Sequence, residues 1–412
     1  MEKALRKYLE RHAEPESRFA PRIRDSFDHV LILPAYGEGE NLFKTLHSVP
    51  LASKALVILV LNATESSPEW VHAQNREVLG RIRKNFKEEA KIEASPLSVF
   101  QIPTGTLLLV NRAVPGFFLP EKEGVGLARK IGSDLALALH AEGKIRSPWI
   151  HSTDADATLP PDYFRRSEGV EDEEITALLY PYRHETESFQ DLAEAMRIYD
   201  AFLRYYVAAL AWAGSPYAFP TIGSTLAVRA SSYAEVGGFP KRQAGEDFHL
   251  LNKLAKIGKV IPLEGDSLRI QARLSERTPF GTGQALRKIL EEKKKGGFYP
   301  FYHPEIFSYL KKWLAVLEQF AVGLGQEDLS ALLKSSFPEE EDAVWKVLRQ
   351  MEAFPAFGEA ASRSSDAQTL KRHLHTWFDA FRTLKFVHGL RDACFPSVSE
   401  EEALSKAPWG IP

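Results

Sequence analysis

Two carboxylates one residue apart, in Asp154-Ala155-Asp156, are the side chains of this chain whose type and spacing best suit chemistry. They follow the short apolar run Pro148-Trp149-Ile150 and precede a turn at Leu159-Pro160-Pro161. At the end of a strand, residues i and i+2 lie on one face, so both carboxylates can reach past the sheet edge toward one point. Such a pair suits a hard divalent cation, which takes oxygen ligands and keeps positions open for substrate phosphates.

Polar and turn-forming residues follow two earlier apolar runs, His29–Leu33 and Ala55–Leu61, which read as buried strands: they are Pro34, Ala35, Tyr36, Glu38 and Asn62. In a parallel α/β sheet, ligands bind outside the carboxyl ends of the strands. Glu38 can accept hydrogen bonds from a base or ribose, and Asn62 offers donors and an acceptor to a base edge. An ordinary strand-to-helix turn and a turn-forming Asn remain the alternatives.

Two predicted helix starts carry charged residues. The segment Gly124–Gly132 opens a helix with glycines, where a diphosphate can bind, and it places Arg129 and Lys130 near the beginning. Basic residues there oppose the helix dipole, which indicates an anion or acidic partner nearby, or solvent exposure. Glu246 and Asp247 begin another helix. Such a carboxylate can act as general base for a hydroxyl, although acidic residues in a first turn are also favourable for structural reasons.

Apolar runs alternate with segments of helical spacing up to about Thr153, which predicts an α/β fold with a mostly parallel sheet and helices on both faces. From about Pro304 onward, helical periodicity dominates. We therefore predict three parts: an N-terminal helix and connector at 1–27, an α/β domain at 28–300, and an α-helical C-terminal extension at 301–412. Predicted long helices include Pro68–Glu89, Phe189–Gly214 and Ala367–Leu390.

The composition is that of an ordinary globular protein, with 44% hydrophobic and 26% charged residues. The net charge of −3 gives no electrostatic case for binding nucleic acid. Cys394 is the single cysteine, so neither an intrachain disulfide framework nor a cysteine-based zinc site is expected. The N-terminus lacks the apolar core of a signal peptide, and Ile198–Gly214 is too short and polar for a membrane span. We expect a cytoplasmic protein, with peripheral contact to the inner face of the membrane left open.

Five segments, in order, resemble the motifs of family 2 glycosyltransferases, which have the GT-A fold. These are the Pro-Ala-Tyr-x-Glu strand end, the Gly-x-Ala-Arg helix start, the Asp-x-Asp after a strand, a Gly-Gly-Phe, and the Glu-Asp helix start. The resemblance covers roughly residues 28–285. Each motif is degenerate, but their shared order makes the combination fairly specific.

The resemblance implies a nucleotide-diphospho-sugar donor, a hydroxyl acceptor and a divalent cation, Mn²⁺ or Mg²⁺. By position, Asp156 corresponds to the metal ligand and Asp154 to the contact with the ribose or the metal. Asp247 corresponds to the catalytic base of an inverting enzyme, with Glu246 beside it. The remaining positions correspond to donor-binding residues: Pro34, Ala35, Tyr36, Glu38, Asn62 and Arg129.

The chain departs from the family pattern at two places. Asn62 stands where the family often has an Asp, which puts the identity of the base in doubt. The frequent Gln-x-x-Arg-Trp motif is absent, and a segment with Arg273 and Arg277 lies in its place. These two arginines can clamp the phosphates of a donor, and a surface salt-bridged turn is the alternative.

Two other classes of function are compatible with this pattern. One is a nucleotidyltransferase that forms an activated sugar, which would need a basic glycine-rich loop after the first strand. The loop here, Gly37-Glu38-Gly39-Glu40, is acidic and disfavours it. The other is a catalytically silent protein that binds nucleotide sugars. Carboxylates at both the donor and the acceptor positions disfavour that reading.

Overall fold

The computed structural model describes residues 2–51, 54–186, 190–274, 281–326, 328–337 and 341–410. The chain forms two compact units. The first comprises Met1–Glu187 and Thr221–Gln284, and the second comprises Ser188–Pro220 and Ala285–Pro412. This division differs from the predicted one, because the N-terminal segment 1–27 is part of the first unit and residues 188–220 are part of the second.

The first unit contains a nine-stranded sheet and a three-stranded sheet. The strands of the large sheet are β1 (His29–Ala35), β2 (Ala55–Asn62), β3 (Lys87–Lys91), β4 (Leu97–Ile102), β5 (Gly105–Arg112), β6 (Trp149–Ser152), β8 (Ile175–Leu179), β10 (Leu226–Arg229) and β11 (Lys259–Pro262). Their order is β11-β8-β10-β6-β1-β2-β5-β4-β3. The small sheet has the order β7-β12-β9, formed by β7 (Ala157–Thr158), β12 (Leu268–Gln271) and β9 (Tyr182–Glu185).

All strands of the large sheet run in one direction except β4 and β10, and the four central strands β6, β1, β2 and β5 are parallel neighbours. The sheet is therefore mixed but mostly parallel. Every residue of β1 and β2 is buried, as their continuous apolar runs predict. Pro34, which has no backbone N–H to donate, is tolerated in this central strand because β6 pairs with β1 only from Val30 to Ile32. The pairing with β6 therefore ends before Pro34 is reached.

Helices cover both faces of the large sheet, as predicted. The helices of this unit are α1 (Glu2–Arg11), α2 (Glu40–Ser48), α3 (Glu69–Asn85), α4 (Gly124–Ala141), α5 (Arg165–Glu168), α7 (Ala230–Glu235) and α8 (Glu246–Leu254), with 3-10 helices at Pro15–Arg22 and Gly223–Thr225. Gly132 of α4 faces Ile32 and Val60. Apolar residues of α2 and α3 share a core with Leu31 and Leu59, which point to the opposite face because strand side chains alternate.

The second unit is helical in the residues described. It contains α6 (Gln190–Ala213), α10 (Pro304–Val322), α11 (Leu329–Ser336), α12 (Glu341–Gln350), α13 (Ala353–Ser362), α14 (Ala367–Trp377), α15 (Ala380–Ala393) and α16 (Glu400–Lys406), together with α9 (Thr282–Lys294) from residue 285 onward. Trp313 is fully buried in its core, which also includes Tyr205 and Leu210 of α6. This shared core explains why α6 belongs to this unit.

The predicted helix Ala367–Leu390 is two helices. The helical conformation is interrupted at Phe378. The Asp379 side chain then caps the second helix by accepting a hydrogen bond from the Arg382 amide. In the part of the chain that the structure describes, no helix combines the length and apolar character needed to cross a membrane.

Candidate functional site

The carboxyl ends of the parallel strands bring the predicted site segments to one edge of the large sheet. Strands β1, β2 and β6 run in the same direction, so the residues after Ala35, Asn62 and Ser152 all emerge at that edge. Strand β10 runs the other way and begins there, because Leu226 pairs with Ser152. The short 3-10 helix that precedes β10 therefore lies at the same edge.

Arg273 connects two of the predicted carboxylates. Its guanidinium donates two hydrogen bonds to Glu38, from Nη1 to Oε2 at 2.8 Å and from Nη2 to Oε1 at 2.6 Å. Nη2 also lies 3.0 Å from Oδ2 of Asp156. Burial lowers the pKa of Arg273, but the Glu38 and Asp156 carboxylates outweigh it and raise the pKa above its usual value. The planar fork of an arginine suits this bidentate geometry, so Arg273 remains a charged bridge.

Arg129 connects three other side chains. Nε donates to Oε1 of Glu246 at 2.8 Å, Nη1 to Oγ of Ser152 at 2.7 Å, and Nη2 to Oδ1 of Asp154 at 2.5 Å. Arg129 and Glu246 are buried, whereas the Asp154 side chain is 37% exposed. Burial lowers the pKa of Arg129, but the Asp154 and Glu246 carboxylates raise it by more. The pKa therefore lies above its usual value, and the guanidinium stays charged.

Asp247 lies next to this cluster and stays partly accessible to solvent. A Cβ placed on Gly223 would be 2.7 Å from Nη2 of Arg129 and 3.3 Å from Oδ2 of Asp247. Gly223 therefore lets the backbone approach both groups closely. Burial and the neighbouring Glu246 carboxylate raise the pKa of Asp247 to about 7, although the Phe248 amide and Arg129 act in the opposite direction. A carboxylate with such a pKa can accept a proton near neutral pH.

The glycine-rich start of α4 serves packing rather than phosphate binding. A Cβ on Gly126 would lie 2.4 Å from the carbonyl oxygen of Pro240 and 2.6 Å from the amide nitrogen of Arg242. The Gly126 amide donates to the Arg242 carbonyl at 2.9 Å. The predicted diphosphate position at this helix end is thus occupied by the protein backbone. The acidic partners that the basic residues indicated are present, since Arg129 pairs with Asp154 and Glu246.

Asn62 stabilises the ends of the first two strands. Its amide nitrogen donates to the carbonyls of Ala35, at 2.9 Å, and Val60, at 3.2 Å. The backbone carbonyl of Asn62 accepts a hydrogen bond from the side-chain amide of Asn75. The side-chain oxygen of Asn75 in turn accepts one from the backbone amide of Gly37. The amide donors of Asn62 are therefore engaged with the backbone, which favours the turn-forming alternative over reading of a base.

The other predicted donor-binding positions divide into three groups. Pro34 and Ala35 are buried residues of β1, so their side chains pack in the interior of the protein. Tyr36 follows the strand, is partly exposed, and donates from its hydroxyl to Oγ of Ser67 at 3.2 Å. Arg277 lies outside the described residues, so the predicted pair of phosphate-clamping arginines is represented by Arg273 alone.

The donor set at Asp154 and Asp156 fits a hard divalent cation by its chemistry. Mg²⁺ is commonly held by one or two carboxylates together with substrate phosphates and water. Among the described residues, no cluster of three or more His, Cys, Asp or Glu side chains could hold a metal by itself. Each of the two carboxylates is ion-paired with an arginine, Asp154 with Arg129 and Asp156 with Arg273. Any cation would depend on substrate oxygens for most of its ligands.

Carboxyl groups are concentrated at this edge of the sheet. Five of them, those of Glu38, Asp154, Asp156, Glu246 and Asp247, lie around the two guanidinium groups of Arg129 and Arg273. Carboxylate oxygens are the ligands that a hard divalent cation prefers, so this concentration favours such a cation.

Sequence reasoning missed two residues of the site, Ser152 and Gly223. Ser152 is the last residue of β6 and orients Arg129 through its hydroxyl. Its position two residues before Asp154 was the available signal. Gly223 carried no signal, because its role depends on β10 pairing with β6 in the antiparallel direction.

No protein-family model matches the chain, and no curated protein matches it. The fold and the geometry of the carboxylate cluster are therefore the observations on which a function can be argued.

Proposed function

We propose that this protein is a metal-dependent inverting glycosyltransferase that moves a sugar from a nucleotide-diphospho-sugar to an acceptor hydroxyl. The observation that carries the proposal is the Arg129 bridge. One buried guanidinium links Asp154 of the Asp-Ala-Asp segment to Glu246 at the start of α8. It thereby brings the predicted donor carboxylate within one side chain of the predicted base, Asp247.

The fold supports a GT-A assignment. The Asp-Ala-Asp segment follows β6, a parallel strand of a mostly parallel sheet, and lies beside the antiparallel strand β10. The small sheet begins directly after it, at β7. Ligands of open α/β sheets bind at the carboxyl ends of the strands, which is the edge where these carboxylates lie. The motif order that suggested family 2 is thus compatible with the observed positions.

The concentration of carboxylates at this edge supports the requirement for a divalent cation. A donor diphosphate is negatively charged as well, and a divalent cation would join its phosphate oxygens to the carboxylates. Asp154 and Asp156 would hold the cation, as Mn²⁺ or Mg²⁺. When bound, the cation would offset the charge that develops on the diphosphate leaving group.

Asp247 suits the role of general base. The bond from the anomeric carbon to the donor phosphate oxygen breaks, a bond from that carbon to the acceptor oxygen forms, and the hydroxyl proton passes to Asp247. Arg129 donates a hydrogen bond of 2.8 Å to Glu246 and so keeps the start of α8, which carries Asp247, in place. A base that acts from the face opposite the leaving group gives inversion at the anomeric carbon.

The first test is release of nucleoside diphosphate from a panel of nucleotide sugars with Mn²⁺ and simple sugar acceptors. We expect wild-type protein to release it and Asp247→Asn to lose about 10³-fold or more in rate, because general-base catalysis contributes 10²–10⁴-fold. The matched control is Asp266→Asn, which changes an exposed aspartate and should be silent.

Binding of the nucleoside diphosphate, measured by calorimetry with Mn²⁺, should be unchanged in Asp247→Asn. Near-normal turnover of that variant would contradict the base assignment. If wild-type protein instead released pyrophosphate from a nucleoside triphosphate and a sugar phosphate, the nucleotidyltransferase alternative would be correct. Binding of nucleotide sugars without turnover of any donor would indicate the catalytically silent protein.

A further inference from the structure

We propose that Arg273 is a built-in counter-ion that occupies the place of the divalent cation at Asp156 and leaves it when cation and nucleotide diphosphate bind together. This inference rests on the proposed function, because it concerns the same cation site. It adds a coupling between the two ligands that neither the Asp-Ala-Asp motif nor the fold implies.

The pairing of two short strands places Arg273. Strand β12 pairs antiparallel with β7, with Ile270 opposite Ala157. The Gln271 amide donates to the backbone carbonyl of Asp156 at 3.0 Å. The chain that carries Arg273 is therefore fixed beside the residue whose carboxylate it contacts, two residues beyond the last strand position.

Arg273 is a cation shared between two carboxylates, those of Glu38 and Asp156. Its fork holds both oxygens of the buried Glu38, and one nitrogen reaches Asp156 at 3.0 Å. Retaining the Glu38 pair while giving up the Asp156 contact would leave the guanidinium with a bidentate partner. The move is therefore small and needs no unfolding of the strand.

The two arginines of the site differ in their freedom to make such a move. The Arg129 side chain is 3% exposed and is held by three different partners, whereas the Arg273 side chain is 31% exposed. A partly exposed guanidinium can turn toward solvent or toward a bound phosphate at low cost, and a buried one cannot. Arg273 is for this reason the exchangeable counter-ion.

The exchange predicts that the cation and the nucleotide diphosphate bind with positive coupling. A cation alone must displace Arg273 from Asp156 and receives only carboxylate ligands in return. A nucleotide diphosphate supplies phosphate oxygens to the cation and a new anionic partner to Arg273. Each ligand therefore lowers the cost of binding the other, and the coupling is reciprocal.

The test is Mn²⁺ binding measured by electron paramagnetic resonance, with and without uridine or guanosine diphosphate. We expect Arg273→Met to bind Mn²⁺ alone about tenfold more tightly than wild type, and to lose most of the gain that the diphosphate gives wild type. The matched control is Arg269→Met on strand β12, which precedes Arg273, and there the arginine is 46% exposed and lies 3.9 Å from Glu185. It should leave both affinities unchanged.

Unchanged or weaker Mn²⁺ binding by Arg273→Met, or no Mn²⁺ binding by any variant, would overturn the proposal. If Arg273→Met does not fold because Glu38 loses its bidentate contact, Arg273→Lys decides the question. A lysine keeps the charge but cannot form the fork, so Mn²⁺ affinity should lie above the wild-type value. Equal affinity would refute the exchange. Failure of sugar transfer with this Mn²⁺ pattern intact would refute the glycosyltransferase and leave the exchange standing.

Discussion

Arg129 and Lys130 are neighbours on α4, and both are buried cations, but they belong to two clusters of opposite character. Arg129 lies at the edge of the sheet with the buried Glu246 and the partly exposed Asp154 and Asp247. Lys130 donates to the Tyr8 hydroxyl at 2.7 Å, the His12 carbonyl at 2.9 Å and Oδ2 of Asp134 at 2.7 Å. All three donors of its ammonium group are thus used by the protein itself.

The Lys130 cluster is closed, because its charged groups pair with one another and its hydrogen bonds are made within the protein. Asp134 is fully buried and accepts from the hydroxyls of Tyr8 and Tyr233 and from the Glu14 amide, besides Lys130. Glu14 in turn pairs with Lys241 at 2.8 Å. Two lysines therefore face two carboxylates.

The difference between the two clusters separates a structural network from a candidate site. Burial of charge alone does not distinguish them, because both contain buried ion pairs. The Arg129 cluster is distinguished by the partial exposure of Asp154 and Asp247. Ionisable groups that combine a shifted pKa, as Asp247 does, with access to solvent are expected where a ligand or substrate binds.

The largest expected effect separates the two cations by substitution. Lys130→Met and Arg129→Met should each cost about 3–5 kcal/mol in the free energy of unfolding, because each leaves a buried carboxylate without its partner. Transfer per folded molecule should fall about 100-fold or more in Arg129→Met alone, because only that change releases Asp154 and Glu246. Urea titration and initial rates of nucleoside diphosphate release measure the two effects.

Arg146→Met is the control for this pair. Arg146 is 84% exposed and pairs with Asp28, so its loss should change stability by about 0.5 kcal/mol or less. Equal losses of transfer rate in Lys130→Met and Arg129→Met would show that the two clusters act as one, and would remove the distinction drawn here.

The second expected effect is a pH dependence of the transfer rate and of stability, and it arises from Asp247 beside the Arg129 cluster. The pKa of Asp247 is raised to about 7, so the base is protonated below that pH and the transfer rate should fall about tenfold per pH unit between 7 and 5. The folded pKa exceeds that of the unfolded chain, so the free energy of unfolding should decrease as pH rises from about 4 to 7. Asp247→Asn should remove the part of this decrease that Asp247 contributes. A flat rate profile across this range would contradict the assignment.

The smallest expected effect concerns the closed cluster. Tyr8→Phe removes the hydroxyl that joins Lys130 to Asp134 and should cost about 1–3 kcal/mol in the free energy of unfolding, because a buried hydrogen bond to charged groups is lost. The transfer rate of the folded variant should equal that of wild type. Phe27→Leu, another core substitution in this unit, serves as the control for a general loss of packing.

The sequence predicted the central elements because their signals are strong. The continuous apolar runs of β1 and β2 and the long periodic helix α6 were correctly identified. Strand β3, Lys87–Lys91, was instead assigned to the end of the preceding helix. All five of its residues are exposed and most are charged, as suits an edge strand, so no apolar alternation distinguishes it from a helix end.

The carboxylates of the candidate site were predictable from motif and strand position, but their partners were not. Arg273 and Glu38 are 235 residues apart, and their contact depends on the pairing of β12 with the two-residue strand β7. Such short strands leave no periodicity to read. The same limit explains why residues 1–27 were predicted to be a separate part. The hydrogen bonds that bind this segment to α4 arise from single side chains, Tyr8 above all.

The attachment of the N-terminal helix also has a consequence for the order of folding. Tyr8 leaves the ribosome 126 residues before its partner Asp134. At about 5–20 residues per second, that interval lasts roughly 6–25 s, and Tyr233 follows later still. Helix α1 therefore lacks the hydrogen-bond partners of Tyr8 on α4 during roughly the first third of synthesis. Docking of α1 completes the hydrogen bonds of Lys130 and is expected to be among the last steps in the folding of the first unit.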